Sequence, residues 1–235
     1  IQRHARGEFT ITSFYRARIC RLFPALLLVI LTSVAWGWFY FLPIDYSRLG
    51  RHIAATMGFF ENFTLNAESG YFDADIKLKP MAHMWSLSIE EQFYLLFPWV
   101  ILIARAQWRL SLMAVAGLWL ISFFISIWGV CTHIIGAYFL PWMRAWELLT
   151  GSLIFFLPPA RNLASSRCLG VIALAGLLLI LSSALLLDAT LPFPGVLALP
   201  PVLGSALLIW IGPDSRFVQR LLANRLMTGV GLISY

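Results

Sequence analysis

Apolar residues run in blocks of about twenty, broken by short polar or basic stretches. That alternation predicts membrane-crossing helices, since about 20 residues cross a hydrocarbon core. Blocks of this kind cover residues 22–42, 86–104, 110–130, 138–157, 169–187 and 195–211, and another begins near Leu226. Pro24 falls near the start of the first block, where a missing backbone donor costs least. Residues 43–47 and 188–194 read as turns, 65–84 as a polar loop, and Pro200 and Pro201 interrupt the block at 195–211. Residues 48–64 are only moderately apolar and hold Arg51, His52, Glu61 and Asn62. The chain opens without an initiator methionine or an apolar leader and stops inside an apolar segment, so it is expected to be a piece of a longer protein.

The distribution of arginine orients these blocks. Segments 1–21, 105–109, 161–167 and 213–225 carry most of it, whereas the connections at 43–47, 131–137 and 188–194 carry none. The bias of Lys and Arg toward the cytoplasm places the first group inside. Parity then requires that 48–64 does not cross, and a re-entrant or interfacial helix is expected there. The fold class that follows is all-α, a polytopic transmembrane helix bundle forming a single domain over residues 1–235.

Composition agrees. Of 235 residues, 60% are hydrophobic and 12% charged, about half the charge of a soluble domain, and the mean hydropathy is +0.81. The formal charge of +6 is first a topology signal in such a chain. A nucleic-acid partner would need a soluble basic face, which is lacking. Cys20, Cys131 and Cys168 are scattered singly, with no spacing that suggests a metal site or a disulfide framework.

Three constellations carry candidate chemistry. Trp85 to Pro98 reads Trp-Ser-Leu-Ser-Ile-Glu-Glu-Gln-Phe-Tyr-Leu-Leu-Phe-Pro. Ser86, Glu90 and Tyr94 lie four apart and share a helix face, with Gln92 offset from it. Carboxylates at membrane depth persist mainly where they face a bundle interior or a wet cavity; the plainer alternative is a helix N-terminus in the headgroup region, where negative charge suits the dipole. In the second, Arg18 and Arg21 lie three apart just before an apolar block. They are either an ordinary positive-inside anchor or a guanidinium grip on phosphate. In the third, Arg144 and Glu147 are spaced to pair within a block, which implies a polar interior beside them.

Together these stretches resemble the acyltransferase-3 group of membrane-bound acyltransferases, which O-acetylate bacterial surface polysaccharides. The likeness is collinear over nearly the whole chain. It runs from Phe14-Tyr15-Arg16-Ala17-Arg18 through Arg21 and Pro24 to Ser69-Gly70-Tyr71-Phe72-Asp73, then Lys79 to Tyr94, Arg144 to Leu148, Pro192 to Gly195, and Gly231 to Tyr235. The resemblance implies acyl transfer across the bilayer, from cytosolic acetyl-CoA to a hydroxyl of a glycan such as lipopolysaccharide O-antigen. It implies Arg18 and Arg21, aided by Arg16, as the acetyl-CoA phosphate grip, and Glu90 as an acid/base partner or as the group that orients a histidine. Trp85, Ser86, Gln92, Tyr94, Arg144 and Glu147 are then expected to line the acceptor path. The expected setting is the bacterial inner membrane, multi-pass, among lipids and with no metal.

The same resemblance implies two upstream spans holding a catalytic histidine, and in many members a C-terminal periplasmic SGNH-type domain. The piece by itself is therefore expected to be inactive. His4, His52, His83 and His133 are the histidines present, and only His83 sits in a family motif. Glu61 is a departure, standing where the family usually has a small residue, as is Ala17 in place of a common arginine. Two other classes are weighed beside the enzyme: a transporter of acyl or glycan precursors, and a scaffold or sensor without catalysis.

Overall fold

The computed structural model describes residues 11–69, 79–103, 108–132, 137–162, 165–188 and 191–233, and among them every regular element is helical. The Gly70–Asp73 part of one family motif, Arg105, His4, His133 and the closing Ser234-Tyr235 lie outside the described residues. The chain divides into two compact units, residues 1–102 with 139–141, and residues 103–138 with 142–235.

The first unit begins with α1 (Ile11–Tyr40), 30 residues long. It starts well before residue 22, because nothing between Thr12 and Arg21 breaks a helix. Pro24 accordingly lies inside the helix rather than at its start, as transmembrane helices tolerate. Leu22, Leu26 and Ile30 recur at helical spacing and form a buried core with Leu49, Met81 and Met84. The opposite face leaves Leu27, Leu28 and Leu31 exposed, and Trp36, Trp38, Phe39 and Tyr40 crowd the helix end. An uncovered apolar face ending in aromatic rings suits lipid and its interface with water.

Residues 43–47 are not a turn. Pro43 opens α2 (Pro43–Met57) in the first-turn position its fixed φ favours. The single interfacial helix expected over 48–64 is two helices, α2 and α3 (Glu61–Glu68). The break is a Schellman-type stop. Phe59 takes the left-handed conformation (φ 57°), and the Phe60 N–H donates 2.7 Å back to the Ala55 carbonyl. After the described turn at Lys79–His83 comes α4 (Met84–Ile103), whose 20 residues match the span expected at 86–104.

The second unit contains α5 (Trp108–Cys131), α6 (Pro141–Ile154), α7 (Ser166–Leu186), α8 (Leu199–Ile211), α9 (Arg216–Leu222) and α10 (Arg225–Ile233). The block at 138–157 contains only 14 helical residues, about 21 Å at the usual rise. Pro141, which lacks a donor, starts the helix late, after a 3₁₀ turn at Ala137–Phe139. Pro200 and Pro201 do not interrupt a helix; they occupy the first turn of α8, behind a 3₁₀ turn at Gly195–Ala198. Helices α7 and α8 meet at two glycines. A Cβ on Gly204 would lie 2.6 Å from the Gly176 carbonyl oxygen, and one on Gly176 would lie 3.0 Å from that of Gly204. Small residues permit this backbone approach within lipid. Three described helical stretches are long and apolar enough to cross a membrane: Thr12–Tyr40, Trp108–Cys131 and Arg167–Leu186.

Candidate functional site

In the first unit, α1 and α4 bring two of the three constellations into contact. Arg18 extends from α1 to α4, where its Nε and Nη2 both donate to the Glu91 carboxylate. Its Cζ lies over the Tyr94 ring, 3.5 Å from the centroid. One turn earlier, the Tyr15 hydroxyl donates 3.0 Å to the Leu95 carbonyl. The Arg18 and Glu91 side chains retain only 18% and 16% of their exposure, so this pair is part of the helix contact. Arg16 and Arg21 remain exposed beside it. Glu90, half-buried, neighbours this pair but makes no hydrogen bond or ion pair among the described residues.

The other expected residues of α4 are spread around it. Trp85 packs edge-on against Phe139 at 5.6 Å. Ser86 is exposed and its hydroxyl donates to the His83 carbonyl. Gln92 turns away from Glu90 and donates 2.6 Å to the Phe59 carbonyl and 2.8 Å to Asn62 Oδ1. Asn62 in turn donates 3.1 Å to the Phe139 carbonyl. Gln92 thereby ties α4 to the break between α2 and α3.

Directly behind that break lies a group the sequence did not single out. His52 on α2 stands between two carboxylates of α3. Its Nδ1 is 2.7 Å from Glu61 Oε1, and its Nε2 is 3.3 Å from Glu68 Oε2. Lys79 donates 2.7 Å to the same Glu68 oxygen, and Arg51 reaches its other oxygen at 3.9 Å. His52 and Glu61 are buried, Glu61 completely, whereas the Glu68 side chain retains 23% exposure. Among the described residues, Glu61 Oε2 has no hydrogen-bond partner. Burial pushes the Glu61 carboxyl above the usual carboxylate range, against the opposing pull of His52. The hint in the sequence was the departure from family pattern at Glu61.

In the second unit, Arg144 and Glu147 form a bidentate pair, Nε to Oε1 at 3.0 Å and Nη2 to Oε2 at 2.6 Å. Tyr138 and Phe193 flank the guanidinium, 4.9 and 5.8 Å from ring centre to Cζ. The pair stands at the polar end of a pocket of about 330 Å³ whose other walls include Thr150, Phe193, Val202 and Ser205. Beneath it, Trp119 donates 2.7 Å to the Thr150 hydroxyl.

A family profile described as "Acyltransferase domain" matches residues 5–235. The chain is 29% identical over 216 residues to an uncharacterised protein of Haemophilus influenzae, covering 87% of this chain and 88% of that one. It is 27% identical over 239 residues to the peptidoglycan O-acetyltransferase OatA of Listeria monocytogenes, covering 94% of this chain and 38% of the relative. It is 32% identical over 94 residues to the O-acetyltransferase OatA of Staphylococcus aureus, covering 40% of this chain and 15% of the relative. The chain thus spans well under half the length of these two O-acetyltransferases. No solved structure matches.

Proposed function

Since the chain belongs to the acyltransferase-domain family across residues 5–235, we propose that it transfers an acetyl group from cytosolic acetyl-CoA to a hydroxyl of a cell-envelope glycan. The observation that carries this reading is the joining of α1 and α4 through Arg18, Glu91 and Tyr94. It sets a cluster of guanidinium groups beside the half-buried Glu90. Arg21 and Arg16 supply exposed cations for the donor's phosphates, with Arg18 fixing their helix against α4. Guanidinium groups suit phosphate because their planar forks match its oxygens.

In the reaction, the acceptor O–H bond breaks as its oxygen forms the ester to the acetyl carbon. The thioester C–S bond breaks, and a proton ends on the departing thiol. Glu90 is the acid/base partner, since a carboxyl with no competing hydrogen bond keeps its acceptor positions for a substrate. Trp85, Ser86 and Tyr94 line the approach on α4, and Gln92 holds that helix in place. Within the second unit, Arg144 and Glu147, beside their own pocket, are the proposed acceptor-contacting residues. The relatives' names support a glycan acceptor, peptidoglycan in the Listeria protein; O-antigen is the acceptor that the motif pattern favours. The protein is placed in the bacterial inner membrane, multi-pass, with its arginine clusters toward the cytoplasm.

The test uses the full-length protein in its own membranes, supplied with radiolabelled acetyl-CoA. Label should appear on envelope glycan, in the O-antigen fraction rather than the peptidoglycan fraction. Glu90→Gln should abolish it at unchanged expression. Unmodified glycan crossing the membrane while label stays on the donor would establish a transporter instead.

A further inference from the structure

The His52 cluster lies outside the residues assigned above, and its geometry is that of a conductor rather than of a clamp. A histidine ring carries a proton-bearing position at each end, and here each end meets a carboxylate: Glu61 at 2.7 Å and Glu68 at 3.3 Å. The two carboxylates differ in surroundings. Glu68 is partly exposed and shared with Lys79 and Arg51, so it meets water. Glu61 is completely buried, and its outer oxygen, Oε2, has no hydrogen-bond partner among the described residues. An unsatisfied buried oxygen costs free energy, so it calls for a role.

We propose that Glu68, His52 and Glu61 form a proton relay between water at the face of α3 and the closed interior behind it. Each ring nitrogen faces a carboxylate, so the ring can pass a proton toward either one. Burial favours a neutral Glu61 carrying the proton itself. The groups facing the ring are Arg51 on its own helix, Glu61 and Glu68 on α3, and Lys79 from the turn before α4. With Arg51 and Lys79 charged and Glu68 ionised, the charge of the cluster is the same whether the shared proton sits on Glu61 Oε1 or on His52 Nδ1. One proton then moves along the series without building up net charge. From Glu61 protonated at Oε1 and His52 neutral with its proton on Nε2, a proton taken up at Oε2 is matched by the Oε1 proton passing to Nδ1, while Nε2 yields its own to ionised Glu68.

The use of the relay rests on the acyl-transfer reading. The acceptor hydroxyl gives up one proton and the departing thiol takes one, so transfer is neutral overall, and where the two groups stand apart a route must carry that proton between them. Asn62, next to Glu61, holds Gln92 of α4 at 2.8 Å. The interior end of the relay is thus tied to the helix that bears Glu90.

The experiment is infrared spectroscopy of the purified full-length protein in lipid nanodiscs, transferred into heavy water. As pH is lowered, a protonated carboxyl stretch should appear before those of ordinary carboxylates, and it should vanish in Glu61→Gln. Its exchange of hydrogen for deuterium should slow about tenfold or more in Glu68→Gln and in His52→Gln, both of which keep a hydrogen-bonding amide at the position. Absence of that band, or equal exchange rates in wild type and both variants, overturns the relay. This readout needs no acyl transfer, so it stands apart from the fate of the proposed function. Where transfer is measured, Glu68→Gln should lower its rate about 100-fold at unchanged acetyl-CoA affinity, at the lower end of acid–base contributions. Slowed exchange with an unchanged transfer rate would overturn the assigned use.

Discussion

Arg18 and Glu91, 73 positions apart in the chain, meet through two nitrogens of the guanidinium and one carboxylate, with the Tyr94 ring beneath. The pair joins the basic end of α1 to the helix that carries the acidic residues. Arg18 is largely covered in this contact, while Arg16 and Arg21 on the same helix are exposed.

Arg18→Ala and Glu91→Gln should therefore each lower stability, and the double variant should lose less than their sum. A coupling of about 0.5–3 kcal/mol is expected for residues in direct contact. Thermal unfolding of the four proteins in detergent gives the cycle. Arg21→Ala should weaken acetyl-CoA binding, measured by titration of the full-length protein.

Glu61 sets a pH dependence whose sign is fixed by burial. Its folded-state pKa is raised by desolvation, so the native protein holds a proton that the unfolded chain releases. That contribution is fully present below the ordinary carboxylate pKa and is lost as pH rises through the higher folded value. Wild-type Tm should fall across this window by more than the Tm of Glu61→Gln. Parallel Tm profiles for the two proteins would show that the carboxyl titrates normally.

Arg144 and Glu147 are mostly buried, with side chains 15% and 18% exposed. Arg144→Ala leaves the Glu147 carboxylate without its bidentate partner and should cost about 3–5 kcal/mol, the range for breaking a buried pair from one side. Removing both charges, as Arg144→Met with Glu147→Leu, should recover part of that loss. Denaturant unfolding of the single and double variants measures the difference.

Gly204→Val should disrupt the α7–α8 contact, since even a Cβ there would sit 2.6 Å from backbone. Overpacking of this kind costs about 1–3 kcal/mol or more. Gly117→Ala, where a Cβ meets nothing within 4 Å, is the control and should be neutral or slightly stabilising. Comparing the two by Tm separates the contact from helix propensity.

The positions of the long helices were legible because lipid imposes its own ruler. An apolar run near twenty residues has few other homes, and the expected blocks at 110–130 and 169–187 fall within α5 and α7, apart from Leu187 just beyond the last turn. The pairing of Arg144 with Glu147 was legible for a similar reason, since three positions on one helix are neighbours whatever surrounds them. Prolines misled the reading, because the same residue opens α2, α6 and α8 and yet sits inside α1 and α4.

The sequence by itself determined the helical class, the family and the local ion pair, all of which depend on composition, order and spacing along one segment. Tertiary structure alone decided which glutamate Arg18 meets, because Glu90 and Glu91 are adjacent and the rotation of α4 against α1 chooses between them. It alone decided the His52 cluster as well. Residues nine apart on an unbroken helix point to opposite sides at 3.6 residues per turn. Only the left-handed Phe59 folds α3 back so that Glu61 and Glu68 close on the two ends of one imidazole.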